Sequence, residues 1–357
     1  MKILVLKRDK IGDMLLMTPM LRHLRAALPD ARIHVLANDY NAWVVEGNPN
    51  IDRLWVYPRA RHGAQFRPSA VIAQLRQLLQ LRRERYDFAI AAGGVVSPRA
   101  VRRALRVGAA RTVAYCRDGE DAGLSDPLTL PPRLHEVEAN LNLLTPLGVP
   151  PPAGVIHPEY TPPADWLDFG RRWVAGQGLR PGGFVVLGLN ARRVKRKPTP
   201  DQIRRWSQAF RERWGLDTVL MWQPGEWDDR VYPGDDEMVK PLLAEAPAWL
   251  HPFRHEDSVF PALGIIWQAA TSVFPDGGIA HLASVSPGGV LALFAETDVS
   301  PHPDNWRPYA PCSGYLEAVR TVAELSDDDV LARVAANLEC AGRPGRAGEP
   351  EGGTYPR

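Results

Sequence analysis

FPDGGIAHLASVSPGGVLALFAETD, residues Phe274 to Asp298, decides how the rest of the chain is read. Asp276, Gly277 and Gly278 lead into a short predicted helix that shows His281 one turn in, and Gly288 to Phe294 reads as the next buried strand. A glycine turn lets backbone approach a diphosphate. The helix N-terminus behind it offers unpaired N–H groups at the positive end of a dipole, and His281 adds a proton or a hydrogen bond. The same letters also describe an ordinary strand-turn-strand, so the motif takes its meaning from its partners.

Those partners lie in two alternating series. In the first, Ile3 to Leu6 is an unbroken apolar strand of the kind parallel sheets bury on both faces. A turn carrying Gly12 and Asp13 follows, then an apolar helix from Met14 to Leu28 and a strand from Ile33 to Leu36. Leu54 to Tyr57 and Tyr86 to Ala91 read as further strands. Between them Ser69 to Arg85 is predicted as an amphipathic helix with Val71, Ile72, Leu75, Leu78 and Leu79 as its apolar stripe. Arg99, Arg102, Arg103 and Arg106 recur at helical spacing after Gly93-Gly94, as a solvated face or as a holder of an acidic acceptor. Prolines crowd Val149 to Pro163 and mark a linker.

The second series runs from the strand Phe184 to Leu189 through a helix whose Thr199, Pro200 and Gln202 form a capping box. Strands at Thr218 to Trp222 and Trp249 to Phe253 alternate with helices at Asp235 to Ala244 and Ser258 to Ala270 before the opening motif. Two such series predict an α/β protein with two facing Rossmann-like doubly wound domains, at 1–160 and 161–322. A last helix falls in 323–340 and a disordered tail in 341–357.

Composition narrows the function. A formal net charge of +2 over 357 residues gives no case for a nucleic-acid partner, and no apolar run is long enough to span a bilayer. Met1 to Lys10 reads as a strand and not as a signal peptide. Cys116, Cys312 and Cys340 are far apart and outside any CxxC pattern, which argues against a disulfide framework and a zinc site and for a reducing cytoplasm. The first turn has one glycine, so the dinucleotide fingerprint is absent.

In open α/β sheets ligands bind beyond the carboxyl ends of the strands. Asp13 there is either a dipole-compensating cap or a general base. Asn190, Arg192, Arg193, Lys195 and Lys197 form a basic turn after a strand; Lys195 and Lys197 are two of only three lysines beyond residue 10 and point to phosphate. Glu226 is either a solvated loop residue or an acceptor for ribose hydroxyls.

With these residues in view, the chain resembles the ADP-heptose:lipopolysaccharide heptosyltransferase family, glycosyltransferase family 9, whose architecture is GT-B. The likeness rests on RDKIGDMLLMTPMLRHLR from Arg8, YDFAI from Tyr86, HEVEANLNLLTPLGV from His135, Lys197-x-x-Pro200, and Asp276-x-Gly278-x-x-His281 followed by ALFAETD. The resemblance implies an inverting, metal-independent transfer from a nucleotide diphosphate sugar, ADP-heptose, to a glycan or glycolipid acceptor. No cofactor is implied, and peripheral contact with the inner membrane surface is. Asp13 matches the catalytic carboxylate and Lys197 the lysine on the donor diphosphate. Gly12, Asn190, Arg192, Arg193, Glu226 and Asp276, Gly277, Gly278 and His281 fall to the donor, and Arg59, Arg61 and Arg99 to the acceptor. The chain departs from the family at Gly277, where Thr is usual, and at Ala295-Glu296, which puts a carboxylate beside the donor. A sugar-nucleotide epimerase or hydrolase, or a non-catalytic sugar-nucleotide binding protein, are the alternative readings.

Overall fold

A computed structural model of the chain describes residues 1–8, 10–62, 65–117, 123–189, 191–226, 233–255, 260–298 and 301–342. Two compact units emerge: Met1–Thr161 with Pro301–Tyr309, and Pro162–Ser300 with Ala310–Arg357.

The first unit is built on a six-stranded parallel sheet. Its elements in order are β1 (Lys2–Leu6), α1 (Ile11–Leu15), α2 (Thr18–Ala27), β2 (Arg32–Asn38), β3 (Arg53–Tyr57), a hairpin of β4 (Arg61–His62) and β5 (Gln65–Phe66), α3 (Pro68–Arg83), β6 (Phe88–Ala91), α4 (Pro98–Val107), β7 (Arg111–Cys116), β8 (Asp126–Thr129) and α5 (Glu136–Asn142). Strand order is β3-β2-β1-β6-β7-β8, so the chain reverses direction across the sheet between β1 and β6. The apolar runs at β1, β2 and β6 are buried as continuous strands require.

The second unit repeats the plan: α6 (Ala164–Gly176), β9 (Phe184–Gly188), α7 (Pro200–Trp214), β10 (Asp217–Trp222), α8 (Asp236–Ala244), β11 (Leu250–Arg254), α9 (Phe260–Ile266), β12 (Thr271–Pro275), α10 (Gly278–Ser284) and β13 (Val290–Phe294). After α11 (Pro303–Trp306), which belongs to the first unit, come β14 (Gly314–Glu317) and α12 (Asp327–Cys340). The order β11-β10-β9-β12-β13-β14 puts the reversal between β9 and β12. Trp206, Phe210 and Ile203 of α7 pack with Leu187, Leu220 and Leu291 beneath the sheet, and the capping box at Thr199 and Gln202 is present.

Three expectations need correction. The helix predicted over Met14 to Leu28 is two helices, because Pro19 fits only the first turn of a helix and starts a new one at Thr18. The apolar stripe of α3 does not face the core: Ile72, Leu75 and Leu79 are 52%, 59% and 56% exposed, while Ala70 and Leu81 are buried. Cys312 and Cys340 form a disulfide with Cα atoms 5.3 Å apart, since the lead-in to β14 and the end of α12 lie together. Such bonds are uncommon in a reducing cytosol, so the cysteines give no support to that compartment. Of the tail predicted to be disordered, 341–357, residues 343–357 lie outside the described residues, as does the Ser258 helix start.

In the second unit α6 and α9 cross in backbone contact. A Cβ on Gly264 would overlap the Trp166 carbonyl, and one on Gly170 would overlap the Gly264 backbone. Neither neighbour is a flexible side-chain end, so the helices must separate. Gly264→Ala is expected to cost about 3 kcal/mol, at the upper end for overpacking, which a denaturant titration would register as a lower midpoint with unchanged slope.

Candidate active site

Both sheets place their charged residues at the strand-order reversals, where open α/β sheets form a crevice. In the first unit, Lys7 closes β1 and Asp13 lies in the first turn of α1. The Lys7 ammonium, 1% exposed, donates to Glu136 Oε1 at 2.6 Å and stands 4.0 Å from Asp13 Oδ1. Glu136 Oε2 accepts the Gly94 N–H at 2.7 Å, and Asn140 Nδ2 reaches Oε1 at 3.2 Å. Lys7 and Glu136 thus form a satisfied buried pair, with Asp13 on its more open side at 14% side-chain exposure. Gly94 is needed there because a Cβ would run into Glu136 Oε2 and Ala139. Gly12 is buried, and its carbonyl accepts the Leu16 N–H.

The acceptor candidates are dispersed. Arg59 is bound to Asp39 through Nε–Oδ1 at 2.7 Å and lies over the Tyr40 ring, so its charge is already matched. The Arg61 side chain lies outside the described residues. Arg99 is exposed in the first turn of α4.

The segment Pro301–Tyr309 is pinned to the first unit by His135. Its Nδ1 accepts the Val137 N–H and caps α5, so Nε2 carries the proton and donates to the Arg307 carbonyl at 3.0 Å. The ring stacks on Tyr309, and Asn305 Nδ2 donates to the Leu134 carbonyl. Burial, the largest cause, lowers the His135 pKa from 6.5 to about 4. Below pH 6.5 the unfolded chain takes up a proton that the folded one refuses. This contribution is therefore present above pH 6.5 and is lost as pH falls toward about 4, on the order of 3 kcal/mol in all. His135→Asn keeps a good cap and removes that titration. Melting temperatures from pH 7 down to 4 are expected to fall more steeply for the parent than for the variant.

In the second unit the turn after β9 carries the basic cluster, and each lysine has found a carboxylate. Lys197 is buried and paired with Asp235. Burial pushes the Asp235 carboxyl up, and the Lys197 ammonium opposes that push. Lys195 Nζ meets Glu296 Oε1 at 2.5 Å, so the unusual carboxylate after β13 is matched by an equally unusual lysine. Arg196 holds both the carboxylate and the main-chain oxygen of Asp276, tying the β9 turn to the β12 loop across the reversal. The two lysines that the sequence assigns to phosphate therefore each have a carboxylate beside them, Asp235 for Lys197 and Glu296 for Lys195.

Arg192 and Arg193 are exposed, and among the described residues neither pairs with a carboxylate; Arg193 Nη1 donates to the Asp298 carbonyl at 3.1 Å. Asn190 lies outside the described residues. Glu226 is exposed in the loop after β10. Gly277 leads into α10 in an extended conformation, and His281 is 5% exposed on that helix. Among the described residues no group of three or more His, Cys, Asp or Glu is placed to hold a metal ion.

No family model matches the chain. Lipopolysaccharide heptosyltransferase 3 of Escherichia coli is 27% identical over 307 residues, 84% of this chain and 84% of that protein. A glycosyl transferase family 9 structure from Veillonella parvula superposes with a TM-score of 0.74 at 19% identity, covering 95% of this chain and 97% of the other. The resemblance to the family 9 heptosyltransferases is borne out. The ADP-heptose lps heptosyltransferase II of E. coli gives a TM-score of 0.70 at 18% identity, covering 95% of this chain and 99% of its own, so the two-unit α/β fold is theirs as well.

Sequence reasoning missed Lys7, Glu136 and Asp235. Glu136 and Asp235 sit at helix starts, where an acidic residue reads as dipole compensation. The available signal was Lys7 itself: a lysine directly after a fully buried strand must find a carboxylate.

Proposed function

We propose that the chain is a glycosyltransferase that moves a sugar, heptose from ADP-heptose, to a hydroxyl of a lipopolysaccharide core or a related surface glycan. The observation that carries this reading is the charge left over at the second unit's reversal. Three cations of the β9 turn are matched one for one by Asp235, Asp276 and Glu296, and Arg192 and Arg193 remain. Two guanidiniums suit a diphosphate, which they bind in bidentate fashion. The nucleotide falls to this unit, with Glu226 and the Asp276 to His281 loop beside it.

In the transfer, an acceptor oxygen attacks the anomeric carbon from the face opposite the diphosphate and inverts it. Its proton passes to the Asp13 carboxylate, which stands 4.0 Å from the Lys7 ammonium. The bond from the anomeric carbon to the diphosphate oxygen breaks, and the electron pair leaves with the nucleoside diphosphate. Arg192 and Arg193 stabilise that developing charge, so no metal is required for it.

A thermal-shift series with ADP, UDP and GDP tests the donor assignment. ADP should raise the melting temperature of the parent most, and Arg192→Ala/Arg193→Ala should abolish the shift. A shift unchanged in that variant would remove the diphosphate from this turn.

A further inference from the structure

The first unit buries an ion pair that stability alone does not call for. Lys7 follows β1 with its N–H still in the sheet, donating to the Leu36 carbonyl at 3.1 Å, and its side chain is among the largest fully buried in the chain. The partner, Glu136, comes from the first turn of α5 and is equally buried. Taking two such charges out of water is costly, and well-packed apolar residues of similar volume would serve stability as well or better.

The chain has nevertheless shaped its backbone and a second side chain around this pair. The turn after β6 is Gly93-Gly94, where a Cβ on Gly93 would stand 3.2 Å from the Lys7 ammonium and one on Gly94 2.5 Å from Glu136 Oε2. Asn140, fully buried, donates through Nδ2 to the main-chain oxygen and to Oε1 of Glu136, at 2.8 and 3.2 Å. The Tyr115 hydroxyl of β7 holds the same helix by donating to the Ala139 carbonyl at 2.9 Å. What the pair adjoins gives the reason for this outlay of structure. Asp13 Oδ1 lies 4.0 Å from the Lys7 ammonium, and of the three side chains only that of Asp13 keeps appreciable exposure. Glu136 takes the short bond and so fixes where the ammonium sits; the ammonium then attracts Oδ1 inward from the open side.

We propose that Lys7, locked by Glu136, is a positioning residue for Asp13: it holds one carboxylate oxygen inward so that the other meets the acceptor hydroxyl. Lys7 acts on the transfer only through Asp13, so the proposal rests on the reading of Asp13 as the base.

The test is a double-mutant cycle on the full chain, with ADP-heptose and a lipopolysaccharide core acceptor at saturation. On each protein kcat, donor affinity and melting temperature are measured. Lys7→Met/Glu136→Gln removes both charges together and leaves an amide oxygen to accept the Gly94 N–H. It is expected to lower kcat by a factor on the order of 10², the cost of a small misplacement at a reacting group, with donor affinity unchanged. In the Asp13→Asn background no base is left to place, and the same two substitutions are expected to change kcat by less than about twofold. A loss of folded protein lowers the rate alike in both backgrounds and cancels from the comparison. An equal loss in both backgrounds, or no loss in either, would overturn the proposal while leaving Asp13 as the base. If Asp13→Asn alone transfers sugar at the parent rate, the base reading fails and the proposal fails with it.

Discussion

Asp13→Asn is expected to lower the transfer rate by a factor on the order of 10²–10⁴ while donor affinity and melting temperature stay near the parent values. Asparagine keeps the size and hydrogen bonding of the side chain but cannot take the acceptor's proton. The Lys7 ammonium keeps its partner, because Glu136 and not Asp13 lies within hydrogen-bond distance of it. Fold and donor binding therefore should not register the change. If Asp13 serves only to compensate the α1 dipole, the variant loses at most about 1 kcal/mol of stability and transfers sugar at the parent rate. Measuring rate, donor affinity and melting temperature on one preparation separates the two.

Lys197→Ala should act first on stability. The ammonium is buried against Asp235, so truncation leaves a buried carboxylate without its cation, a loss of about 3–5 kcal/mol. Removing both partners, as Lys197→Met/Asp235→Leu, should recover most of that loss, because no uncompensated charge remains. Chemical denaturation of the three proteins checks this. If the single variant is as stable as the parent but no longer binds donor, then Lys197 leaves Asp235 to meet the diphosphate.

The alternating α/β plan of each unit could be read from the sequence because short apolar runs alternating with amphipathic segments leave few alternatives to a parallel sheet. Positions just after strands were legible for the same reason: Asp13, the 192–197 turn and the Asp276 loop all fall at the two reversals. Pairing was not legible. Lys7 and Glu136 are 129 residues apart, and Lys195 and Glu296 are 101 apart, and nothing in local pattern announces such partners. Periodicity also misled at α3, because it reports that one face is apolar without saying which way that face points. The disulfide escaped for a related reason: Cys312 and Cys340 share no motif, and only the packing of α12 beside β14 brings them together.

The central claim is transfer of a sugar from a nucleotide diphosphate to an acceptor hydroxyl, and acceptor dependence tests it most directly. The protein would be incubated with ADP-heptose, with and without a lipopolysaccharide core acceptor, and released ADP measured alongside the mass of the acceptor. The account predicts ADP release that requires acceptor and an acceptor heavier by one heptose. ADP-heptose consumed equally fast without acceptor, or bound without any release of ADP in its presence, would contradict it.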